Sequence, residues 1–172
     1  RDADAFRPIL EVAHRHPYPL RILSLPCATG EEPFSLAMAL LSEEVVDFEI
    51  DGLDVSAQAL EIARVGVYGA NSFRGPEQSW QAAYFSPVNK KWQLRPDVLR
   101  RVRFNQANVA HPKFLDILAR GLYDVIVFRH LSIYLDSLTR QAALAQFHQH
   151  LKPGGLLCVG ASEAFHVPGH LF

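Results

Sequence analysis

The sequence predicts an α/β fold with a mainly parallel, five-stranded sheet flanked by helices. Short apolar runs typical of buried strands alternate with longer amphipathic segments typical of helices. Strands that alternate with helices pair in parallel through right-handed crossovers. The 172 residues, 49% hydrophobic and 20% charged, suffice for one domain with a sizeable core and leave no room for a second full domain.

The first part of the chain supplies two of the predicted strands. Ser56 is a good helix N-cap, and Pro33 suits a first helical turn. The predicted elements are a helix over 2–14 with Phe6, Ile9, Leu10 and Ala13 at helical spacing, a strand over 21–25, a helix over 33–44, a strand over 48–54 and a helix over 57–68.

Residues 69–100 interrupt this alternation. The segment contains three prolines and scattered aromatic residues without a clear period, which predicts an inserted small subdomain. Within it, "YFSPV" is expected to pair with "KWQLR" as a hairpin across the turn at Asn89.

The alternation then resumes to the end of the chain. The predicted elements are a strand over 102–109, a helix near 112–120, a strand over 123–128, a helix over 136–151 and a strand over 155–160 after the turn "KPGG". Residues 1–172 thus form one predicted α/β domain. Because the chain begins on Arg1 without a methionine and ends on Phe172 in mid-pattern, we expect it to be a fragment of a longer protein.

Composition argues against several classes of function. The net charge is −1 and the basic residues are spread along the chain, so no nucleic-acid site is predicted. No apolar run approaches the length of a membrane span. Cys27 and Cys158 lack the spacing of a zinc site or a disulfide framework, so we expect reduced thiols and no bound metal.

The loop "SLPCATGEEPFS" (24–35) follows a predicted strand and opens a helix. In α/β proteins this turn usually binds phosphates through backbone N–H groups. Here it carries Glu31 and Glu32, which would repel a phosphate. Alternatively, either carboxylate simply favours the helix N-terminus through the helix dipole, and one of the two is expected to do only that.

Asp54 ends the second predicted strand, where an acid can accept hydrogen bonds from the hydroxyl groups of a ribose. It could equally serve as a helix cap just before Ser56. Together with the acidic loop, Asp54 favours a ligand that has a ribose and a positive charge but no phosphate. S-adenosylmethionine fits this description, whereas the pyrophosphate of NAD would lie near two carboxylates.

Polar residues also follow the other predicted strands. "VIVFRHLSIYLD" delivers Arg129, His130 and Tyr134 to the same sheet edge, although each alone is more often structural. Asn108 follows the third strand, where its amide could bind an adenine edge or form a turn.

Several blocks resemble, in order, those of the chemotaxis receptor methyltransferase (CheR) family. The resemblance covers essentially the whole chain, and "TGEEPFS" and "IYLD" are its specific parts. The blocks are "LSLPCATGEEPFSLAMAL", "LDVSAQALEIARVGVYG", "YF" at 84–85, "VRFNQANV", "YDVIVFRHLSIYLD" and "LKPGGLLCVGASE", with "RD" at the start.

The resemblance implies a Rossmann-like class I S-adenosylmethionine methyltransferase fold. It further implies a bacterial, cytoplasmic, monomeric enzyme that esterifies glutamate side chains of chemoreceptors and releases S-adenosylhomocysteine. The insertion at 69–100 corresponds to a small β-subdomain that can dock a receptor or another partner.

The resemblance also implies roles for single residues. Glu32 falls where the family contacts the methionine part of the cofactor, and Asp54 where it binds the ribose. Asn108 and Val109 match the pair lining the adenine.

Further matches surround the implied transfer site. Arg129 and His130 form a second contact pair for the cofactor. Arg1, also a cofactor contact, and Tyr134 flank the transfer site as the implied catalytic residues.

Two positions depart from the family's pattern. His130 stands where the family commonly has asparagine, and Pro26 where it often has glycine. An alternative is therefore a degenerate relative that binds cofactor weakly or not at all and serves as a protein-interaction module.

Overall fold

The five-stranded parallel sheet carries the fold. The structure, a computed structural model, describes residues 3–15, 19–73, 79–118 and 121–169. The large sheet consists of strands β1 (Leu20–Leu25), β2 (Phe48–Asp54), β6 (Val102–Gln106), β7 (Tyr123–Phe128) and β8 (Leu151–Val159), in the order β6-β2-β1-β7-β8. Every neighbouring pair is parallel, as predicted. The strand order reverses between β1 and β7, and ligands of such sheets bind at the carboxyl ends beside this point.

Helices cover both faces of the large sheet. Helices α1 (Ala3–Arg15) and α2 (Glu31–Ser42) pack on one face in a core that includes Phe6, Phe34 and Ile50. Helices α6 (Lys113–Leu118) and α7 (Ser137–His150) pack on the other face around Phe114 and Phe147. Helix α3 (Ala57–Val65) lies beside β6.

A smaller antiparallel sheet forms within and just before the predicted insertion. It consists of β3 (Val67–Tyr68), β4 (Phe85–Val88) and β5 (Lys91–Leu94), in the order β3-β5-β4, and the short helices α4 (Ser79–Tyr84) and α5 (Pro96–Leu99) flank the hairpin. The predicted hairpin is confirmed, since Phe85 pairs with Leu94 and Val88 with Lys91. Asn89 has φ 52°, a left-handed conformation that asparagine tolerates in turns.

Two predicted elements extend too far along the chain. The helix predicted over 57–68 ends at Val65, because Gly66 adopts φ 64° and its N–H caps the carbonyl of Ile62. Val67 and Tyr68 then form β3, so Tyr68 belongs to the small sheet. The strand predicted over 102–109 ends at Gln106, and 107–110 form a turn.

The predicted turn "KPGG" lies inside the last strand. The ladder between β7 and β8 passes from Leu151 directly to Leu156, so Lys152–Gly155 form an irregularity, with Gly154 at φ 76°. Across the described part of the chain, no helix has both the length and the apolar character needed to cross a membrane.

Candidate functional site

The loop between β1 and α2 is held by its own backbone. The N–H of Cys27 donates to the carbonyl of Leu53 on β2, and the N–H of Gly30 donates to the carbonyl of Cys27. Ala28 and Gly30 have φ 46° and 91°, so the chain reverses within five residues and enters α2 at Glu31. This turn brings the first residues of α2 over the carboxyl end of the sheet.

Asp54 fastens this loop to the end of β2. Its Oδ2 accepts the N–H of Ala28 at 2.8 Å, and its Oδ1 accepts the N–H of Ser56 at 2.9 Å. Ser56 itself caps α3 by accepting from the N–H of Ala59. Asp54 is 8% exposed. Each carboxylate oxygen has a second lone pair, so binding the loop does not exhaust the capacity of Asp54 to accept hydroxyl groups.

The two glutamates of the loop occupy different environments. Glu31 accepts hydrogen bonds from the hydroxyl groups of Thr29 and Ser72 at the rim. Glu32 is 7% exposed and lies above β1, where Ser24 Oγ is 3.4 Å from its Oε1. The structure thus directs Glu32 toward the sheet edge and ties Glu31 to the neighbouring segment.

Arg129 is the basic partner of Glu32. Its Nη1 lies 3.4 Å from Glu32 Oε2, and the arginine side chain is 20% exposed. This separation exceeds the roughly 2.7–2.9 Å of a strong charge-assisted hydrogen bond. The pair nevertheless keeps a buried carboxylate compensated and links the first turn of α2 to the residue that follows β7.

A cleft of about 380 Å³ opens beside the end of β2. Asn108 lines it together with Val55, Ala107 and Phe114. The side-chain Oδ1 of Asn108 accepts from the N–H of Ala110, so this residue does form a turn, and its Nδ2 still provides a donor. Val109 packs against the core around Phe114 and Phe147 and is not among the residues lining the cleft.

The segment after β7 forms the wall of the site that lies across β1 from the end of β2. His130 has φ 67°, and its backbone N–H donates to Glu163 Oε2 at 2.7 Å. Asparagine and histidine are both enriched in this left-handed conformation, which accounts for an asparagine being replaced by histidine here. Tyr134 ends a 3₁₀ turn (Ser132–Tyr134) and is 79% exposed.

The predicted site residues converge only in part. Glu32 and Arg129 pair at the carboxyl edge of the sheet, Asp54 ends β2 at the same edge, and Asn108 lines the neighbouring cleft. His130 and Tyr134 follow Arg129 on the opposite wall. Arg1 lies outside the described residues. The binding and catalytic roles assigned to these residues stay predictions.

The structure adds Tyr68 to the site. Tyr68, 5% exposed, donates its hydroxyl to the carbonyl of Thr29 at 2.7 Å. Burial, followed by the charge of Glu31, raises the pKa of this phenol well above its ordinary value, so it remains a donor. Its position after Gly66 was a usable signal, because a glycine there predicts the end of a helix.

Glu163 is the second addition. It is 1% exposed and accepts hydrogen bonds from the segment after β7. Burial opposes its ionisation, but hydrogen bonds from His130, Ser132 and Gly160 outweigh that effect and hold the pKa of this carboxyl below its usual range. The only signal in the sequence is that "ASE" closes the last block of the family resemblance.

Solved structures share this architecture. The methyltransferase domain of bacterial CtHen1-C superposes with a TM-score of 0.51 over 91% of this chain and 65% of that chain, at 16% sequence identity. A likeness at this level of identity concerns the fold. Together with the strand order and the acidic site at the carboxyl edge, it defines the class I methyltransferase fold that the sequence predicted.

The family assignment follows from sequence similarity. Residues 4–171 match the family described as "CheR methyltransferase, SAM binding domain", and the chain belongs to this family. The family and the cofactor predicted from the sequence are thereby confirmed.

Two relatives illustrate the similarity. A probable biofilm formation methyltransferase, WspC of Pseudomonas aeruginosa, is 43% identical over 88% of this chain and 36% of its own length. Chemotaxis protein methyltransferase 2 of Vibrio cholerae is 37% identical over 89% of this chain and 54% of its own length. The chain thus spans about a third to a half of the length of these relatives.

The described residues fit S-adenosylmethionine chemically. Glu32 and Asp54 place two buried carboxylates where a phosphate-bearing nucleotide would need backbone or basic donors. A cationic amino group near Glu32 and ribose hydroxyl groups near Asp54 match these acceptors. The cleft beside the end of β2 combines apolar walls, such as Val55 and Phe114, with polar side chains that include Asn108 and Asp116, and this mixture suits a flat base with polar edges.

Proposed function

We propose that this chain is the catalytic domain of a methyltransferase that converts glutamate side chains of a bacterial signalling receptor into methyl esters. The carrying observation is the pair of buried carboxylates, Glu32 and Asp54, at the carboxyl edge of a CheR-family fold. The similarity to chemotaxis and Wsp-type methyltransferases supports a receptor as the substrate. In this proposal the enzyme acts as a monomer in the cytoplasm, and the segment 69–100 docks a partner protein.

The cofactor-binding roles follow from the chemistry of each side chain. Glu32 holds the amino group of the methionine part, and Arg129 lies beside this buried carboxylate as its compensating positive charge. Asp54 accepts the ribose hydroxyl groups while it holds Ala28. Asn108 lies against the adenine with its amide as donor, and Val109 borders the base from outside the residues that line the cleft.

The bound cofactor supplies a methyl group on a sulfonium sulfur, and a substrate carboxylate takes it by forming an oxygen–methyl bond as the carbon–sulfur bond breaks. A glutamate carboxylate is already a nucleophile at neutral pH, so the protein needs no strong general base. Its contribution is positioning and the arrangement of charge. Arg1 orients the acceptor carboxylate, and Tyr134 donates a hydrogen bond near the transfer point. His130 lies next to Arg129 in the segment after β7.

Calorimetric titration of the full-length protein with S-adenosylmethionine and S-adenosylhomocysteine tests the cofactor site. E32Q and D54N should each weaken binding by about ten-fold to a hundred-fold, because each removes hydrogen bonds to a charged acceptor. E31Q is the matched control, since the Glu31 carboxylate is turned to Thr29 and Ser72. Its affinity should stay within about three-fold of wild type.

Transfer of a labelled methyl group to a receptor cytoplasmic domain tests the reaction. Methyl esters hydrolyse in mild base, so the label should leave as methanol. Base-stable label would identify a different acceptor atom and contradict the proposal. Cofactor binding that is undetectable in the full-length wild type would instead support the non-catalytic interaction module.

A further inference from the structure

A buried carboxylate holds the loop that follows β7. Glu163 lies in the 3₁₀ turn Ala161–His166 and is 1% exposed. Its Oε1 accepts the N–H and the Oγ of Ser132, both at 2.9 Å. Its Oε2 accepts the N–H of His130 at 2.7 Å and the N–H of Gly160 at 3.0 Å. Both oxygens therefore have two donors each.

We propose that Glu163 is a positioning residue for methyl transfer, which fixes the backbone of residues 129–134 so that His130 and Tyr134 face the transfer point. This inference rests on the function proposed above. Glu163 acts through the loop rather than by touching the substrate, since three of its four hydrogen bonds go to residues 130 and 132.

A purely local role as a helix cap accounts for only part of this arrangement. Gly160 and Glu163 exchange two hydrogen bonds, as a capping pair does. The remaining three hydrogen bonds reach 31 to 33 residues back along the chain. A residue that only capped its own turn would not need to be buried under another loop.

The loop has further anchors around Ser132. The ring Nδ1 of His166 lies 3.1 Å from Ser132 Oγ. The guanidinium of Arg140 donates to the carbonyls of Ser132 and Leu135 at 3.2 and 3.0 Å. Glu163 is the member that also holds His130, in its left-handed conformation, directly after Arg129.

Gly160 is required for this contact. A Cβ built on Gly160 overlaps Glu163 Oε2, although the glycine itself has φ −64° and ψ 148°, which any residue can adopt. The backbone at position 160 therefore accepts alanine without strain. The only conflict is between the alanine Cβ and the Glu163 carboxylate in its observed position. G160A displaces the carboxylate without changing its charge.

E163Q perturbs the same contact chemically. A carboxamide has one acceptor oxygen, and its other end is a donor group. Each carboxylate oxygen of Glu163 accepts from two donors. In the glutamine variant the side-chain NH₂ replaces one of these oxygens, so in either orientation two of the four donors lose their acceptor. E163Q and G160A thus disturb the 129–134 segment by independent routes.

The experiment compares the full-length wild type with E163Q, G160A and a control, D51N. Asp51 is also a buried carboxylate, 2% exposed, and contacts Arg21, Arg103 and Tyr123 within β-strands away from the loop. Melting temperature, kcat and the KM for S-adenosylmethionine are measured, with kinetics well below each melting temperature.

We expect kcat to fall by about ten-fold to a hundred-fold in E163Q and G160A, because small displacements of positioning groups cost that much. The KM for S-adenosylmethionine should change less, because Glu32, Asp54 and Asn108, which carry most of the proposed cofactor contacts, lie on other segments that Glu163 does not touch. D51N should lower the melting temperature while kcat stays within about two-fold.

Unchanged kcat in E163Q and G160A, with only a lowered melting temperature, would overturn the inference and leave Glu163 a structural cap. If E163Q does not fold, G160A decides on the same criterion. A wild type that binds no cofactor and transfers no methyl group would overturn the proposed function itself, and with it this inference.

Discussion

The hydroxyl of Tyr68 donates a hydrogen bond of 2.7 Å to the backbone carbonyl of Thr29. Tyr68 lies on β3 of the small sheet, whereas Thr29 lies in the loop between β1 and α2. A second link joins the same two regions, because Ser72 donates its hydroxyl to Glu31. The small sheet is therefore bonded to the loop on which the proposed cofactor site depends.

Y68F should weaken both the fold and the cofactor site. Removing the hydroxyl leaves the carbonyl of Thr29, a partly buried residue, without this donor, and the loss of one such hydrogen bond costs about 0.5–1.5 kcal/mol. Because the same loop carries Glu32, we expect the affinity for S-adenosylmethionine to fall by roughly three-fold to ten-fold. Chemical denaturation and calorimetric titration of the full-length protein measure the two effects.

The matched control is Y84F, because Tyr84 is only partly buried and lines a groove against α2 beside Met38 and Ser42, not the turn that contains Thr29. Its cofactor affinity should equal that of wild type. Equal affinities in Y68F and wild type would show that the small sheet does not influence the loop.

The large sheet could be predicted because its strands are short apolar runs, such as Tyr123–Phe128, in which every residue is buried. The positions of Glu32 and Asp54 at the carboxyl edge could be predicted because Asp54 ends β2 and Glu32 opens the helix after β1, and the carboxyl ends of parallel strands share one edge. Tyr68 was hidden by an apolar pattern that continues the helix, although Gly66 marked its end. Glu163 could not be found from local pattern, since its partners lie more than thirty residues away and only tertiary packing brings them together.

Cys27 and Cys158 should resist alkylation in the folded protein. Burial, as the largest cause, raises the pKa of each thiol to about 12. At pH 8 only about one thiol in ten thousand would then be ionised, and the thiolate is the reactive form. Mass spectrometry after iodoacetamide treatment should show both cysteines unmodified in native buffer and both modified in denaturant. Rapid labelling of Cys27 in native buffer would contradict the burial of this residue in the loop between β1 and α2.

The pH dependence of stability should report the ionisation of Glu163. A carboxyl whose pKa is lower in the folded protein stabilises the fold when ionised. Its contribution is therefore fully present above its ordinary value of 4.5 and is lost as the pH falls through the lower folded pKa.

The measurement is the difference in melting temperature between wild type and E163Q from neutral pH downward. This difference should be largest above the ordinary pKa of 4.5 and shrink as the pH falls progressively below it. Other carboxyl groups affect both proteins alike, so they cancel in the comparison. A difference that stays constant over this range would show that the charge of Glu163 does not stabilise the fold.

G30A should destabilise the loop at the point where it turns into α2. Gly30 has φ 91°, and a Cβ there would lie 3.0 Å from both the Cβ of Ala63 and Cε2 of Phe34. It would also lie 3.1 Å from the hydroxyl of Tyr68, so the change presses on the hydrogen bond to Thr29 as well. We expect a loss of about 1–2 kcal/mol in the free energy of unfolding and weaker cofactor binding, because an L residue is strained at this φ. G69A is the control, since Gly69 has φ −88° and a Cβ there meets nothing within 4 Å. Urea denaturation should give G69A a free energy of unfolding at or slightly above that of wild type, and G30A a clearly lower one. Equal losses of stability in the two variants would mean that the loop moves to relieve the crowding at Gly30.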